Sequence, residues 1–307
     1  MALLPQVEGR SNISLVIIDN ASEPESMSCI VEWLEQIEPS NIRYERNECN
    51  VGMSGNFLKC FEANHSPWLW ILSDDDFISP NAVQLIEDHI EKYPEATYIN
   101  FSCDSLAKEN NRPCRTMEWT ATGAYELFEK LDTFAMMTFI SCGIFNARKI
   151  NQLHVGYHYS RTYLNFLALV ISAIGDDGIS VFSPERLIAR HEPAVGWSRL
   201  DYALACGVLL DLPFDESTRK LVRLHLCSTT LRFKTIATIL IDQIRDRKVT
   251  KKFAAYMIAE IRHRLYPLHW DKYLATAIYI VCFHYKSVGS ILRRTPIVKQ
   301  WLFNEKK

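Results

Sequence analysis

Three consecutive carboxylates, Asp74, Asp75 and Asp76, stand at the end of the short apolar run Trp68-Leu-Trp-Ile-Leu72. Five apolar residues bounded by a polar turn read as a buried strand, and Pro80-Asn81 then opens an amphipathic helix over 81–92. Three like charges in a row repel one another. They are tolerated when solvated, or when a divalent cation sits among them. Two readings follow from the residues: a solvated acidic turn capping the next helix, and a site in which one or two carboxylates hold Mg2+ or Mn2+ together with substrate phosphates. The second reading has a natural place, because ligands of open α/β sheets bind outside the carboxyl ends of the strands.

The elements that must position this turn are readable upstream and downstream. Residues 14–18 form a β-rich apolar run ending in Asp19-Asn20, and 25–37 has helical periodicity through Met27, Ile30, Val31, Leu34 and Ile37. Residues 42–46 read as a short strand, Asn50-Val-Gly-Met-Ser-Gly55 as a turn-rich loop, and 56–64 as helix. The acidic strand over 68–76, a helix to about 92 and a strand over 96–101 complete a β-α-β-α-β-α-β alternation. That order predicts a parallel sheet with helices on both faces. A loop over 103–120 follows, then a helix over 125–131, a strand over 139–145, a helix over 159–173, and strands over 178–182 and 187–190. From Ser198 onward the pattern is helical, with Pro213, Pro267 and Pro296 as breaks.

Composition narrows the class. The chain has 307 residues, 48% apolar and 23% charged, enough for one large domain or two. Nine cysteines without a C-x-x-C pair fit a reducing compartment better than disulfides or a zinc site. Residues 1–20 lack the basic-then-apolar pattern of a secretory signal. No apolar run reaches about 18 residues. The formal net charge of −2 hides an asymmetry: residues 244–307 hold 14 Lys plus Arg against 4 Asp plus Glu, a net of +10, leaving −12 elsewhere. The basic residues are interleaved with Phe253, Tyr256, Met257, Trp270 and Tyr273. That mixture suits an anionic membrane surface or the solvated face of a helical domain, and no nucleic-acid motif accompanies it.

Three segments together resemble the family-2 glycosyltransferases: Ser14-Leu-Val-Ile-Ile-Asp-Asn-Ala-Ser22, Arg46-Asn-Glu-Cys-Asn-Val-Gly52 and Leu72-Ser-Asp-Asp-Asp-Phe-Ile-Ser-Pro-Asn-Ala82. Their order and spacing match as well as their letters, over residues 1 to about 200. The resemblance implies an α/β fold built on a Rossmann-like A-type glycosyltransferase sheet, N-terminally incomplete, followed by a helical C-terminal region. It implies a catalytic domain over 1–200 and a basic, helical, membrane-surface region over 201–307. The implied reaction moves a sugar, with inversion and with Mn2+ or Mg2+, from a nucleotide-sugar donor to a lipid-linked or polysaccharide acceptor of the bacterial surface. The implied place is the cytoplasm, peripheral on the inner face of the cytoplasmic membrane.

The resemblance also assigns roles. Asp19 would accept a hydrogen bond from the donor base, Asn50 and Gly52 would shape the loop beside the nucleotide, and Asn56 would meet ribose or phosphate. The commonest acidic motif of the family is Asp-x-Asp-Asp, and Ser73 holds its first position here. Asp75 is then the favoured metal ligand with Asp74 or Asp76 second, and one carboxylate, Asp74 where Asp76 joins the metal, meets the donor ribose. The acceptor base usually comes from an acidic residue near a helix start, but the matching stretch, residues 157–163, has none. His158 is the nearest candidate, with Asp132 and Asp176 as backups. Arg190 and His191 would reach the diphosphate or metal, and Trp197 would stack on a sugar.

Family members begin with a strand and a nucleotide-binding loop that find no counterpart before Met1-Ala-Leu-Leu-Pro-Gln6. That strand is central to the sheet, so its absence is expected to leave the flanks of two strands uncovered. Two other classes stay open: a degenerate relative acting as an assembly partner, and a nucleotidyltransferase.

Overall fold

The computed structural model describes residues 3–37, 41–103, 115–132, 137–191 and 205–228. The chain divides into two compact units, Met1–Trp197 with Leu212–Val222, and Ser198–Asp211 with Arg223–Lys307. In the first unit α1 (Leu4–Val7) leads to β1 (Leu15–Asp19), α2 (Pro24–Ile37), β2 (Ile42–Arg46), α3 (Gly52–Ala63), β3 (Trp68–Trp70), β4 (Asp76–Ile78), α4 (Ala82–Lys92) and β5 (Ala96–Cys103). There follow β6 (Trp119–Thr122), α5 (Gly123–Lys130), a 3-10 turn at Ile140–Cys142, β7 (Gly143–Asn146), α6 (Leu153–His158), α7 (Asn165–Ile174) and β8 (Ile179–His191). The described part of the second unit is a 3-10 turn at Val208–Asp211 and the later half of the helix Glu216–Ser228.

The alternation of elements is as the sequence predicts, but the sheet is not one parallel sheet. β1 and β2 pair in parallel as a two-stranded sheet of their own. A separate six-stranded sheet runs β3-β7-β5-β8-β4, with β6 added on β8. Within it only β5 and β8 are parallel; β3–β7, β5–β7, β4–β8 and β6–β8 are antiparallel. Among the described residues β1 pairs along one edge with β2 and β3 along one edge with β7, so one edge of each is unpaired. Four apolar residues of β1, Leu15 to Ile18, are only half-buried, whereas all eight residues of β5 are buried.

β5 is the centre of the core. Ile99, Phe101, Ile144, Val181, Leu187 and Ile188 pack with Ala82 and Ile86 of α4. Tyr98 stacks its ring against Gly143, whose hypothetical Cβ would lie 2.9 Å from the Tyr98 ring. Arg115 ties the return of the chain after β5 to the sheet: its Nη1 donates to Asn100 O (2.9 Å) and Ser183 O (2.6 Å).

Four local expectations are corrected. The run 139–145 is half 3-10 turn and half strand, because Ser141 turns its polar groups toward the acidic segment, as described below. The helix expected over 159–173 begins only at Asn165; residues 153–158 form their own short helix and 159–164 a turn. The two strands expected over 178–182 and 187–190 are one strand of 13 residues, bulged where it passes Asn100 and Ser102. The strand ending at the carboxylates is three residues long, and its continuation after the turn, β4, belongs to a different edge of the sheet.

One turn is sterically exacting. Gly123 opens α5 with φ +73°, donates its N–H to Gly178 O (2.9 Å), and a Cβ there would stand 2.3 Å from Asp176 O. Both the left-handed backbone and the backbone obstacle penalise any side chain. Gly123→Ala is therefore expected to destabilise the first unit by about 2–4 kcal/mol, read as a fall in the thermal midpoint. A change within the error of the melt would contradict this turn.

Candidate active site

The acidic turn is built by its neighbours. Trp70 Nε1 donates to Ser141 O (2.8 Å), and Ser73 N donates to Ser141 Oγ (3.0 Å). Ser141 is wholly buried and thus clamps both the strand before the turn and the turn's first residue. Ser73 Oγ donates to Asp75 Oδ1 at 2.5 Å, which orients that carboxylate. On the far side, Ser79 N donates to Leu187 O (2.9 Å) and Ser79 Oγ to Arg186 O (2.6 Å), fixing β4 on β8. Gln6 closes the frame: its Nε2 donates to Ser79 O (3.0 Å) and its Oε1 accepts from Val83 N (3.0 Å), satisfying one of the free N–H groups in the first turn of α4.

The result is a fixed bend carrying Asp74 exposed and Asp75 and Asp76 half-buried. Register places Asp76 opposite His191 and Phe77 opposite Arg190, at the carboxyl end of β8. Backbone position alone places Arg190 and His191; Trp197 lies outside the described residues. The donor set offered to a cation is hard carboxylate oxygen, the chemistry that Mg2+ and Mn2+ prefer. Among the described residues no group of three or more His, Cys, Asp or Glu side chains forms a complete cage.

A second cluster forms where β1, β2 and α3 meet. Asn20 Nδ2 donates to Asn50 Oδ1 (3.0 Å), and Asn20 Oδ1 accepts from Asn47 Nδ2 (3.1 Å) and Val51 N (3.0 Å). Asn47 Nδ2 also donates to Asn56 Oδ1 (3.0 Å), and Asn50 Oδ1 accepts from Gly52 N (2.8 Å). Gly52 takes φ +74°, the left-handed conformation that glycine enters without cost. Asn50, Gly52 and Asn56 are thus parts of one network, and the sequence reading missed its other two members, Asn20 and Asn47. Both lie inside the motif segments, so their clustering at the strand ends was the available signal.

Asp19 serves that network from beneath. Its side chain is fully enclosed. Oδ1 accepts from Ser22 N (2.9 Å), and Oδ2 accepts from the Tyr44 hydroxyl (2.9 Å) and Arg46 Nη1 (2.7 Å). Burial alone would raise its pKa, but the hydrogen bonds from Ser22 and Tyr44 and the charge of Arg46 carry it below the ordinary carboxylate value. Both carboxylate oxygens have partners within the protein, and Asp19 holds together the ends of β1 and β2.

The candidate bases are dispersed. His158 is exposed at the end of α6, its ring edge-on to Tyr159. Asp132 is exposed just after α5, within electrostatic reach of Arg115. Asp176 stands apart from the acidic turn. It lies in the turn before β8, at the strand's amino end, while Asp76 pairs with its carboxyl end. A dozen strand residues separate those ends by on the order of 35 Å.

With this geometry in place, the comparisons identify the class. Residues 2–153 match the model of glycosyl transferase family 2. No curated protein is significantly similar in sequence. Among solved structures the chain is similar to S. aureus TarS 1–349, with TM-score 0.54 and 10% identity over 94% of this chain and 86% of that one. The same fragment in complex with UDP gives TM-score 0.56 at 10% identity, with the same coverage. The mannosyltransferase PcManGT from Pyrobaculum calidifontis, in complex with GDP-Man and Mn2+, gives 0.48 at 11% identity over 94% of this chain and 73% of that one. The chain belongs to the family-2 glycosyltransferases, and its fold is the Rossmann-like A-type glycosyltransferase sheet with accompanying helices. It is a nucleotide-sugar glycosyltransferase. Among the described residues no helix is long and apolar enough to cross a membrane.

The Asp19 cluster generates a pH prediction. Asp19 has a lowered pKa in the folded state, so its stabilisation is fully present above the unfolded value of 3.8 and is lost as pH falls through the lower folded value. Asp19→Asn should cost about 1–3 kcal/mol at neutral pH. The gap in thermal midpoint between wild type and variant should stay constant from neutral pH down to about 5 and close below about 4. A gap independent of pH would show that the carboxylate's charge is not what holds the strand ends.

Proposed function

We propose that the chain transfers a sugar, with inversion, from a nucleotide diphosphate donor to a lipid-linked or polysaccharide acceptor of the bacterial cell surface, with Mn2+ or Mg2+ at the acidic turn. The observation that carries this reading is the Ser141-clamped turn, which presents Asp74, Asp75 and Asp76 at the carboxyl end of β8 opposite His191. Asp75 and Asp76 would hold the cation, joined by His191 and the donor's phosphates, and Asp74 would meet the ribose. When bound, the cation neutralises the charge developing on the leaving nucleoside diphosphate. Asn50 and Gly52 set the backbone wall beside the nucleotide, and Asn56 contributes its amide. The acceptor hydroxyl oxygen attacks the anomeric carbon from the face opposite the diphosphate, the carbon–oxygen bond to the diphosphate breaks, and His158 takes the hydroxyl proton. Arg190 would steady the diphosphate, and Trp197 would stack on a sugar ring.

In this reading residues 1–200 are the catalytic domain and 201–307 a basic helical region lying on the inner face of the cytoplasmic membrane. The net of +10 over 244–307 against −12 elsewhere supports that division of labour.

Two experiments test the proposal. Asp75→Ala should lower manganese-dependent donor turnover by about 10³-fold or more and remove the thermal shift given by UDP or GDP with manganese, while leaving the metal-free melt intact. Unchanged turnover would remove Asp75 from the metal. The chain should also sediment with phosphatidylglycerol vesicles at low salt and be released by about 0.5 M NaCl, where charges more than a few ångströms apart are screened. Binding that ignores salt, or no binding, would sink the membrane-surface assignment.

A further inference from the structure

Ser54 and Asn165 join the two sides of the site. Ser54 stands in the first turn of α3, two residues after Gly52, and Asn165 is the first residue of α7. Both are buried, Asn165 completely. Ser54 Oγ donates to Thr162 O at 2.6 Å, across 108 residues of chain. Asn165 Nδ2 donates to Ser54 O at 3.0 Å and to Gly156 O at 3.4 Å. The amide orientation of Asn165 is forced, because both partners are carbonyls and only the NH2 group can serve them. The two bonds through Ser54 run in opposite senses, one from its hydroxyl and one to its carbonyl, so α3 both gives to and receives from the segment 156–165.

Packing reinforces the polar link. Gly156 lies so close to α3 that a Cβ there would stand 2.5 Å from Leu58 Cδ2. Phe57 and Phe166 meet edge to face with centroids 5.5 Å apart, and the Tyr157 hydroxyl donates to Glu62 at the other end of α3. One helix therefore carries the donor-side loop, residues 50–52, at its start and holds the end of α6 and the turn after it, residues 157–164 with His158 and the exposed Tyr163, along its flank.

We infer that Ser54 and Asn165 are positioning residues that make the donor-side loop and the acceptor-side turn one mechanical body, so that a nucleotide bound at the first also orders the second. The functional half of this inference rests on the donor-site reading above; the mechanical half does not.

Hydrogen exchange followed by mass spectrometry on the full chain separates the two. The probes are UDP and GDP, each with manganese, on wild type, Ser54→Ala, Asn165→Ala and the conservative Ser54→Thr. In wild type, nucleotide should slow exchange in 157–164 as well as in 50–56. In Ser54→Ala and Asn165→Ala the protection of 50–56 should persist while that of 157–164 falls by about fivefold, the worth of one hydrogen bond in a local opening equilibrium. Ser54→Thr should restore it. A merely structural role would speed exchange without nucleotide but leave the nucleotide-induced protection in place, and that result overturns the inference. If neither nucleotide protects 50–56 in wild type, the donor reading fails, and the apo chains decide the rest. Faster exchange of 51–56 and 157–164 together in both alanine variants would support the interlock; faster exchange of one segment alone would overturn it.

Discussion

The parallel pairing of β5 with β8, from Ala96 opposite Ile179 to Cys103 opposite Ile188, sets where every other part of the site lies. β8 runs three residues past the last of these pairs, and that overhang receives β4, bringing Asp76 to the end of the sheet. Ser183 is the joint at which β8 bends. Its carbonyl accepts from Arg115 Nη1 (2.6 Å) and Ser102 Oγ (3.3 Å), and its hydroxyl contacts His89 Nε2 (2.9 Å) and accepts from Glu185 N (3.1 Å). A bulge leaves strand polar groups without ladder partners, and here the side chains of Ser102, Arg115 and Ser183 itself supply them. Losing this joint would change the register of β8 and move its far end off β4. Because side chains alternate faces along a strand, even a one-residue slip would turn Ile188 out of the core.

The acidic turn shows the same logic on a smaller scale. Its three charges repel, so beyond the Ser73–Asp75 bond the turn leans on groups outside it. It is held by neutral groups, the Ser141 hydroxyl and carbonyl on one side and the Ser79 contacts on the other. The clamps themselves are neutral and add no positive charge to the turn, which suits the cation proposed there.

Much of this frame was legible in the sequence. The apolar run into three carboxylates, the helix after Pro80-Asn81 and the strand from Ala96 follow from period and punctuation, which are local. Pairing order was not legible. β7 inserts antiparallel between β3 and β5, and nothing in Gly143-Ile-Phe-Asn146 specifies direction, since a short, fully buried strand has no polar face to betray it. The late start of α7 has a similar cause. Residues 159–173 are periodic enough for one helix, yet Asn165 and Thr162 are committed to α3, and a continuous helix would deny both contacts. Asp19 shows the limit for function. The resemblance assigns it a contact with the donor base, whereas its partners within the fold, Arg46 and Tyr44, lie 27 and 25 residues away and are beyond the reach of a local motif.

Asp19 and the acidic turn use the same side chain in opposite ways, and the difference is one of partners. Asp19 is enclosed with an arginine, a tyrosine hydroxyl and a backbone N–H, so its charge is spent inside the protein. Enclosing it stiffens the ends of β1 and β2, where among the described residues β1 pairs along one edge alone. On that stiff base the four asparagines Asn20, Asn47, Asn50 and Asn56 bond to one another rather than to charges. A neutral, mutually bonded amide network keeps its shape whether or not an anion is near. In the donor-site reading proposed above, such a wall would need little reorganisation to receive a diphosphate, the condition under which fixed dipoles favour a charged transition state.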